Sequence, residues 1–182
     1  MIAYMATVSR ERQSAIDSAI AQIKLDTGMS YPEDSLLAIA KQMGLDVQVA
    51  DLPDFETKGI SAIIEYLSEQ ESKDAGGLRA RVYLNSKHEP ERRTFSLAHE
   101  IGHYMLHDHS TKYRIDHYDY SKNTQTAIEE TEANYFAARF IVPKDELAKL
   151  WTITHDLDEI AGYFGVSRPV IENRLKWLTR TY

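Results

Sequence analysis

Three histidines spaced four residues apart, His99, His103 and His107, constrain this chain more than any other feature. Residues i and i+4 of a helix share a face with Cβ atoms about 5–6 Å apart, so the spacing predicts a helix with imidazoles along one side. Phe95, Ala98, Gly102 and Leu106 bracket that side, which therefore looks toward protein. Two imidazoles buried together are costly unless they share a partner. The segment from His99 to His103 reads HEIGH, the HExxH pattern. Glu100, turned about 100° from His99, flanks any ion the two rings share and can address a water there without taking a coordination position. A metal ion held by His99 and His103 is the expectation. His107 lies about 80° round from His99, which suits a supporting or packing role better than a place on the same ion.

The chain has no cysteine, which excludes disulfides, thiolate nucleophiles and every zinc site built wholly or partly from thiolates. A catalytic zinc site takes three protein ligands and keeps one position open, so the third must be His, Asp or Glu from another element. The segment from Thr126 to Pro143 offers Glu129, Glu130 and Glu132, and helical geometry separates them. The apolar arc of Ala133, Phe136, Ala137, Ala138, Phe140 and Ile141 is centred within about 20° of Glu130, whereas Glu132 points about 140° away and is expected in solvent. Glu129 stands three residues after Thr126, as in a capping box. Glu130 is left as a carboxylate aimed into the core, and it is the expected third ligand. Asn134, one turn further on, is placed to hold an imidazole N–H, and the alanines at 133, 137 and 138 allow a close approach to Gly102.

Around this centre the hydrophobic pattern changes period twice. Ile16, Ala19, Ile20 and Ile23 predict a helix over 10–27 that stops at Gly28. A second helix is expected from Pro32 to Met43, with Pro32 in its first turn and Gly44 at its end. Leu45, Val47 and Val49 alternate with polar residues as in a strand. Ile60 to Leu67 and Arg79 to Asn85 are two further β-rich runs, the last with Ala80, Val82 and Leu84 on one face. Ser68 to Gly77 reads as a loose hairpin loop. Helical patterns resume at about 91–107, 127–141, 144–151, 156–164 and 168–179, with a polar, tyrosine-rich loop over 108–124. The order predicts an α+β fold: N-terminal helices, a small three-stranded antiparallel sheet, the HExxH helix and the helix after it, then a C-terminal helical pair. Residues 1–143 are expected to form the metal-centred domain and residues 144–182 a C-terminal helical region.

Charge narrows the partners. The 182 residues carry 21 basic and 28 acidic side chains, a formal net charge of −7 that argues against a general nucleic-acid binder. No apolar run approaches the roughly 20 residues of a membrane span. The start, MIAYMATVSRERQ, is charged too soon for a secretory signal, so a cytoplasmic location without membrane contact is expected. One local exception stands out. Asp158 to Ile171 resembles a helix-turn-helix, with Ala161 inside the first helix, Gly165 at the turn and Ser167 as a cap. Residues 167–182 set Arg168, Arg174, Lys176 and Arg180 against Glu172. A DNA-binding or protein-binding regulator that uses this region, with a structural or inactive metal site, is therefore the alternative reading. The plainer one is that Ile160, Phe164, Val166, Ile171, Leu175 and Leu178 pack as a helical pair.

The run from Arg93 to His107, RTFSLAHEIGHYMLH, is followed by a pattern that begins at Glu130 and passes Ala133, Asn134 and Phe136 to Pro143. Together they closely resemble the ImmA/IrrE family of bacterial and phage zinc metallo-endopeptidases. The resemblance is strongest over 91–143 and extends back to about residue 30, taking in the strand RVYLN that ends at Asn85. It implies a gluzincin-like Zn2+ site with His99, His103 and Glu130 as ligands and Glu100 as general base. It also implies cleavage of a helix-turn-helix transcriptional repressor, which relieves repression. Many relatives carry a helix-turn-helix domain of their own. The residues before Pro32 are too few for one, so the repressor is expected to be a separate protein. Such chemistry also needs a donor for the oxyanion. Tyr113, Tyr118, Tyr120, His109 and His117 are candidates among which the sequence does not choose.

Overall fold

The structure is a computed structural model that describes residues 8–52, 54–55, 58–109, 112–115 and 125–179. Its first helix, α1 (Arg10–Thr27), starts where the Ser9 hydroxyl accepts from the Arg12 N–H, and it stops at Gly28, whose φ of 69° is a left-handed conformation that glycine adopts freely. The next helix, α2 (Leu36–Gln42), begins later than Pro32. Ser35 offers a side-chain oxygen to the Ala38 N–H, a cap that proline cannot supply, and the Pro32 segment is a turn.

The strands are β1 (Leu45–Ala50), β2 (Asp54–Phe55), β3 (Lys58–Gly59), β4 (Ala62–Tyr66), β5 (Ala80–Asn85) and β6 (Tyr113–Ile115). A four-stranded sheet has the order β1-β5-β4-β6, while β2 and β3 form a small antiparallel ribbon. The expected three-stranded antiparallel sheet is thus corrected to four strands in a mixed sheet. β5 inserts between β1 and β4 and runs parallel to β1, from Leu45↔Ala80 to Ala50↔Asn85. It runs antiparallel to β4, from Ala62↔Leu84 to Tyr66↔Ala80. The fourth strand comes from the polar segment, where Tyr113 to Ile115 pair with Glu65 to Ile63.

Ser68 to Gly77 is not a loose loop. It contains α3 (Glu69–Asp74), held by a capping box in which the Ser68 hydroxyl accepts from the Glu71 N–H and the Glu71 carboxylate accepts from the Ser68 N–H. Glu71 also accepts from Lys112 Nζ at 2.6 Å, tying α3 to the approach of β6. These bonds draw its carboxyl down to about 2, with Lys112 the main cause.

The helices α4 (Pro90–Leu106), α5 (Gln125–Ile141), α6 (Lys144–Ile153), α7 (Leu157–Tyr163) and α8 (Arg168–Thr179) complete the chain. α4 lies between the sheet and α5, burying Leu97, Ala98 and Ile101 with Ile64, Ala80 and Val82. Each large aliphatic side chain buried this way contributes roughly 1.5–3 kcal/mol. α1 packs on the other exposed flank of α5, and Ile160, Phe164, Val166 and Ile171 join the same core from the C-terminal helices. Gly102 sets the α4–α5 distance. A Cβ there would stand 3.0 Å from the Phe136 ring and 3.2 Å from the Ala133 backbone.

Two expectations follow. Gly102→Val should destabilise the protein by about 1–3 kcal/mol in urea unfolding, because overpacking against backbone outweighs the ~0.4 kcal/mol of helix propensity regained. An unchanged midpoint would contradict the close approach. The depressed Glu71 carboxyl contributes stability above its unfolded pKa of about 4.3 and loses it as pH falls toward 2. The stability gap between wild type and Glu71→Gln should hold above about pH 5 and close by about pH 2. A gap that persists into acid would assign the difference to something other than this carboxylate.

Candidate metal centre

α4 begins at Pro90, a residue preorganised for a first helical turn, and its middle third is buried. His99 and His103 come one turn apart on the face against α5, with Glu100 buried between them. α5 carries Glu130 one turn before Asn134. The pairing of α4 with α5 at Gly102 brings these residues together. His99 Nε2 lies 2.9 Å from His103 Nε2, and each stands 3.1 Å from an oxygen of Glu130. His99, His103 and Glu130 form the group among the described residues whose ligand atoms converge as a metal site requires.

The donor set fits a cation. Donors at about 2.0–2.1 Å from a tetrahedral zinc ion lie roughly 3.4 Å apart, close to the separations seen. The far side of each ring is already engaged. His99 Nδ1 faces Asn134 Oδ1 at 3.1 Å, an acceptor only, so that nitrogen carries the proton and Nε2 keeps a lone pair. His103 Nδ1 faces His107 Nδ1 at 2.9 Å. Burial pushes His103 down to about 3, so at neutral pH its ring is uncharged. Two lone pairs and a carboxylate then point at one spot, an arrangement that repels itself without a positive ion to share.

The structure brings His99, His103 and Glu130 together and buries Glu100 next to His99, and Asn134 faces His99 as expected. Two glutamates differ from expectation. Glu132 is buried rather than solvated, because α1 covers that side of α5 and Arg12 reaches it. Glu129 makes no capping box, since α5 already starts at Gln125, and it accepts from Arg114 Nη1 at 2.8 Å instead. Arg114 was not foreseen. It alternates with Tyr113 along β6, so it faces α5 and donates through Nη2 to Glu130 Oε1 at 3.2 Å. The only sequence signal for it is a three-residue alternation in a polar segment.

Two of the foreseen oxyanion donors are engaged with other groups. His109 is stacked between Tyr66 and Tyr104, at 4.3 and 5.0 Å, with Nε2 donating to the Tyr104 carbonyl. Tyr113 is exposed and donates to Glu65 on the other side of the strand. His117, Tyr118 and Tyr120 lie outside the described residues. At the C-terminal end, Arg174 is 3% exposed and donates to the Val142 carbonyl, and burial pulls its guanidinium down to about 10. Arg168 is paired with Glu172 and Asp158, each at 3.0 Å. Lys176 is exposed, and Arg180 lies outside the described residues. Two of the four basic side chains counted from sequence, Arg168 and Arg174, are thus engaged within the chain.

A family model, Peptidase_M78, described as the IrrE N-terminal-like domain, matches residues 40–176. Among solved structures, a Mycobacterium tuberculosis transcriptional regulator has a similar fold, with a TM-score of 0.56 at 19% identity. The similarity covers 96% of this chain and 50% of that one, so the chain spans half that protein's length. None of the curated proteins matches this chain. The family match takes in the sheet as well as both helices that build the metal centre, and the chain belongs to this metallopeptidase family.

Proposed function

We propose that this chain is a Zn2+-dependent endopeptidase of the cytoplasm that hydrolyses a peptide bond in a separate helix-turn-helix repressor. The observation that carries the reading is the convergence of His99 Nε2, His103 Nε2 and Glu130 within 3.1 Å, with the Glu100 carboxylate buried on the same turn. The family is one of peptidases, and the similar solved structure bears the name of a transcriptional regulator, which supports a protein substrate of that kind. No helix among the described residues is long and apolar enough to cross a membrane. In this reading residues 1–143 hold the peptidase centre and residues 144–182 are a helical region packed on it.

His99, His103 and Glu130 would hold the ion, which supplies Lewis acidity that acidifies water and polarises a carbonyl. Glu100 takes the proton of the attacking water and returns it to the leaving amine. Its burial keeps that exchange away from bulk solvent. Asn134 keeps the His99 proton on Nδ1 and so leaves Nε2 free to donate its lone pair. Arg114 places a permanent positive charge beside Glu130, and its buried Nε has no hydrogen-bond partner among the described residues. Among the described residues Arg114, rather than Tyr113, is the donor placed to meet developing negative charge.

Zinc added to metal-stripped protein should raise its thermal midpoint, reaching about 4 kcal/mol of stabilisation at a thousandfold excess over Kd, and Glu130→Ala should remove the effect. Equal midpoints with and without zinc would sink the metal centre. Glu100→Gln should keep the zinc effect while slowing cleavage of a co-expressed helix-turn-helix repressor by at least about 10²-fold. Wild-type cleavage by that variant would take the general-base role from Glu100.

A further inference from the structure

His107 and Glu132 are buried beside the metal centre, and the chemistry described so far uses neither. They form a continuous chain. His107 Nδ1 lies 2.9 Å from His103 Nδ1, and His107 Nε2 lies 3.1 Å from Glu132 Oε2. Glu132 is gripped by both arms of Arg12, whose Nε donates to Oε1 at 2.7 Å and whose Nη2 donates to Oε2 at 2.5 Å. The chain runs from a side chain 41% exposed on α1 to a ring that faces the ion site.

The direction of each proton follows from its neighbours. A carboxylate held by a bidentate guanidinium only accepts, so His107 Nε2 carries a proton. His103 turns Nε2 to the ion site and so keeps its proton on Nδ1, and His107 Nδ1, 2.9 Å away, meets that proton with a lone pair. That lone pair can accept only if His103 Nδ1 is the donor. His103 is then fixed as the tautomer with a free lone pair at Nε2, the atom that faces His99 and Glu130.

We propose that Arg12, Glu132 and His107 are positioning residues that lock the tautomer and the ring orientation of His103, so that α1 helps to set the metal affinity of the centre. The proposal rests on the metal centre proposed above. Arg12 lies upstream of residues 40–176 matched by the family model, so this support comes from a part of the chain outside that domain. Outer partners of ligating histidines raise the basicity of the ligand and hold its ring, and losing one typically costs 10- to 100-fold in metal affinity. His99 obtains the same service from Asn134 on the neighbouring helix. The two ligand rings are thus held by different devices, one short and one relayed across three residues.

The test uses the full chain, stripped of metal and titrated with zinc against a chromophoric chelator. Circular dichroism and the apo unfolding midpoint report the fold of each variant. His107→Phe should weaken zinc binding about 10- to 100-fold with the apo fold intact. His107→Asn, which keeps an acceptor oxygen near the Nδ1 position, should recover most of the loss. Arg12→Met alters a partly exposed side chain and should weaken zinc in the same direction, providing the readout even where the His107→Phe chain does not fold. In the cobalt-loaded protein the shifted N–H signal of His103 should exchange slowly with water in wild type and faster in Arg12→Met. Wild-type zinc affinity in folded His107→Phe or in Arg12→Met overturns the relay while leaving the metal centre standing. Failure of the wild-type chain to bind zinc overturns both.

Discussion

The approach of α5 to α4 at Gly102 governs the rest of this structure. The absence of a side chain there lets Phe136 and the Ala133 backbone fill the space a Cβ would occupy. Glu130 lies three residues before Ala133 on the same helix, and that contact is what carries its carboxylate to the two imidazoles. A side chain at Gly102 would have to displace Phe136 and the Ala133 backbone, and Glu130 would move away from the rings with them. Backbone packing and ligand geometry are therefore one constraint. The small residues at Ala133, Ala137 and Ala138 belong to the centre as much as its ligands do.

How far this was legible in the sequence depends on the range of each interaction. His99, Glu100 and His103 were readable because one helical period relates them, and Glu130 because it sits on the apolar arc of its own helix. Glu132 misled for the same reason. Its angle from that arc predicts solvent only when a helix has one covered face, and α5 is covered by α4 on one side and α1 on another. Arg12, 120 residues away, left no local trace of the pairing. The strand order was equally hidden. Three alternating runs predict strands, but nothing in their spacing says that β5 enters between β1 and β4, or that the polar segment after α4 adds β6. The Ser68–Glu71 capping box was in plain view, yet the double glycine that follows drew the segment into a loop reading.

The C-terminal helices show why a count of charges differs from a surface. Four basic side chains against one acid suggested a binding face. Arg174 is instead one of the most buried polar residues, bonded to a carbonyl at the end of α5, and Arg168 is held by acids on α7 and α8. Those contacts fix α8 to the body of the fold and engage two of the four basic side chains counted there. The helix-turn-helix likeness is one of backbone pattern, with Gly165 at positive φ in the turn, and the side chains serve packing.

Charge around the centre provides an independent measure of what it holds. Glu100, Glu129, Glu130 and Glu132 surround the two ligand histidines, and each is buried or nearly so. Arg12 and Arg114 face them from α1 and β6. Acidic side chains thus outnumber guanidiniums around the histidines, and an ionised carboxylate buried without a positive partner is expensive. Protonating the histidines would offset it, but burial disfavours that for both His103 and His107. A cation between His99, His103 and Glu130 would offset the excess of acids without protonating either ligand ring. The surplus of buried acidic side chains and the convergence of three ligand atoms thus favour the same kind of occupant, a positive ion.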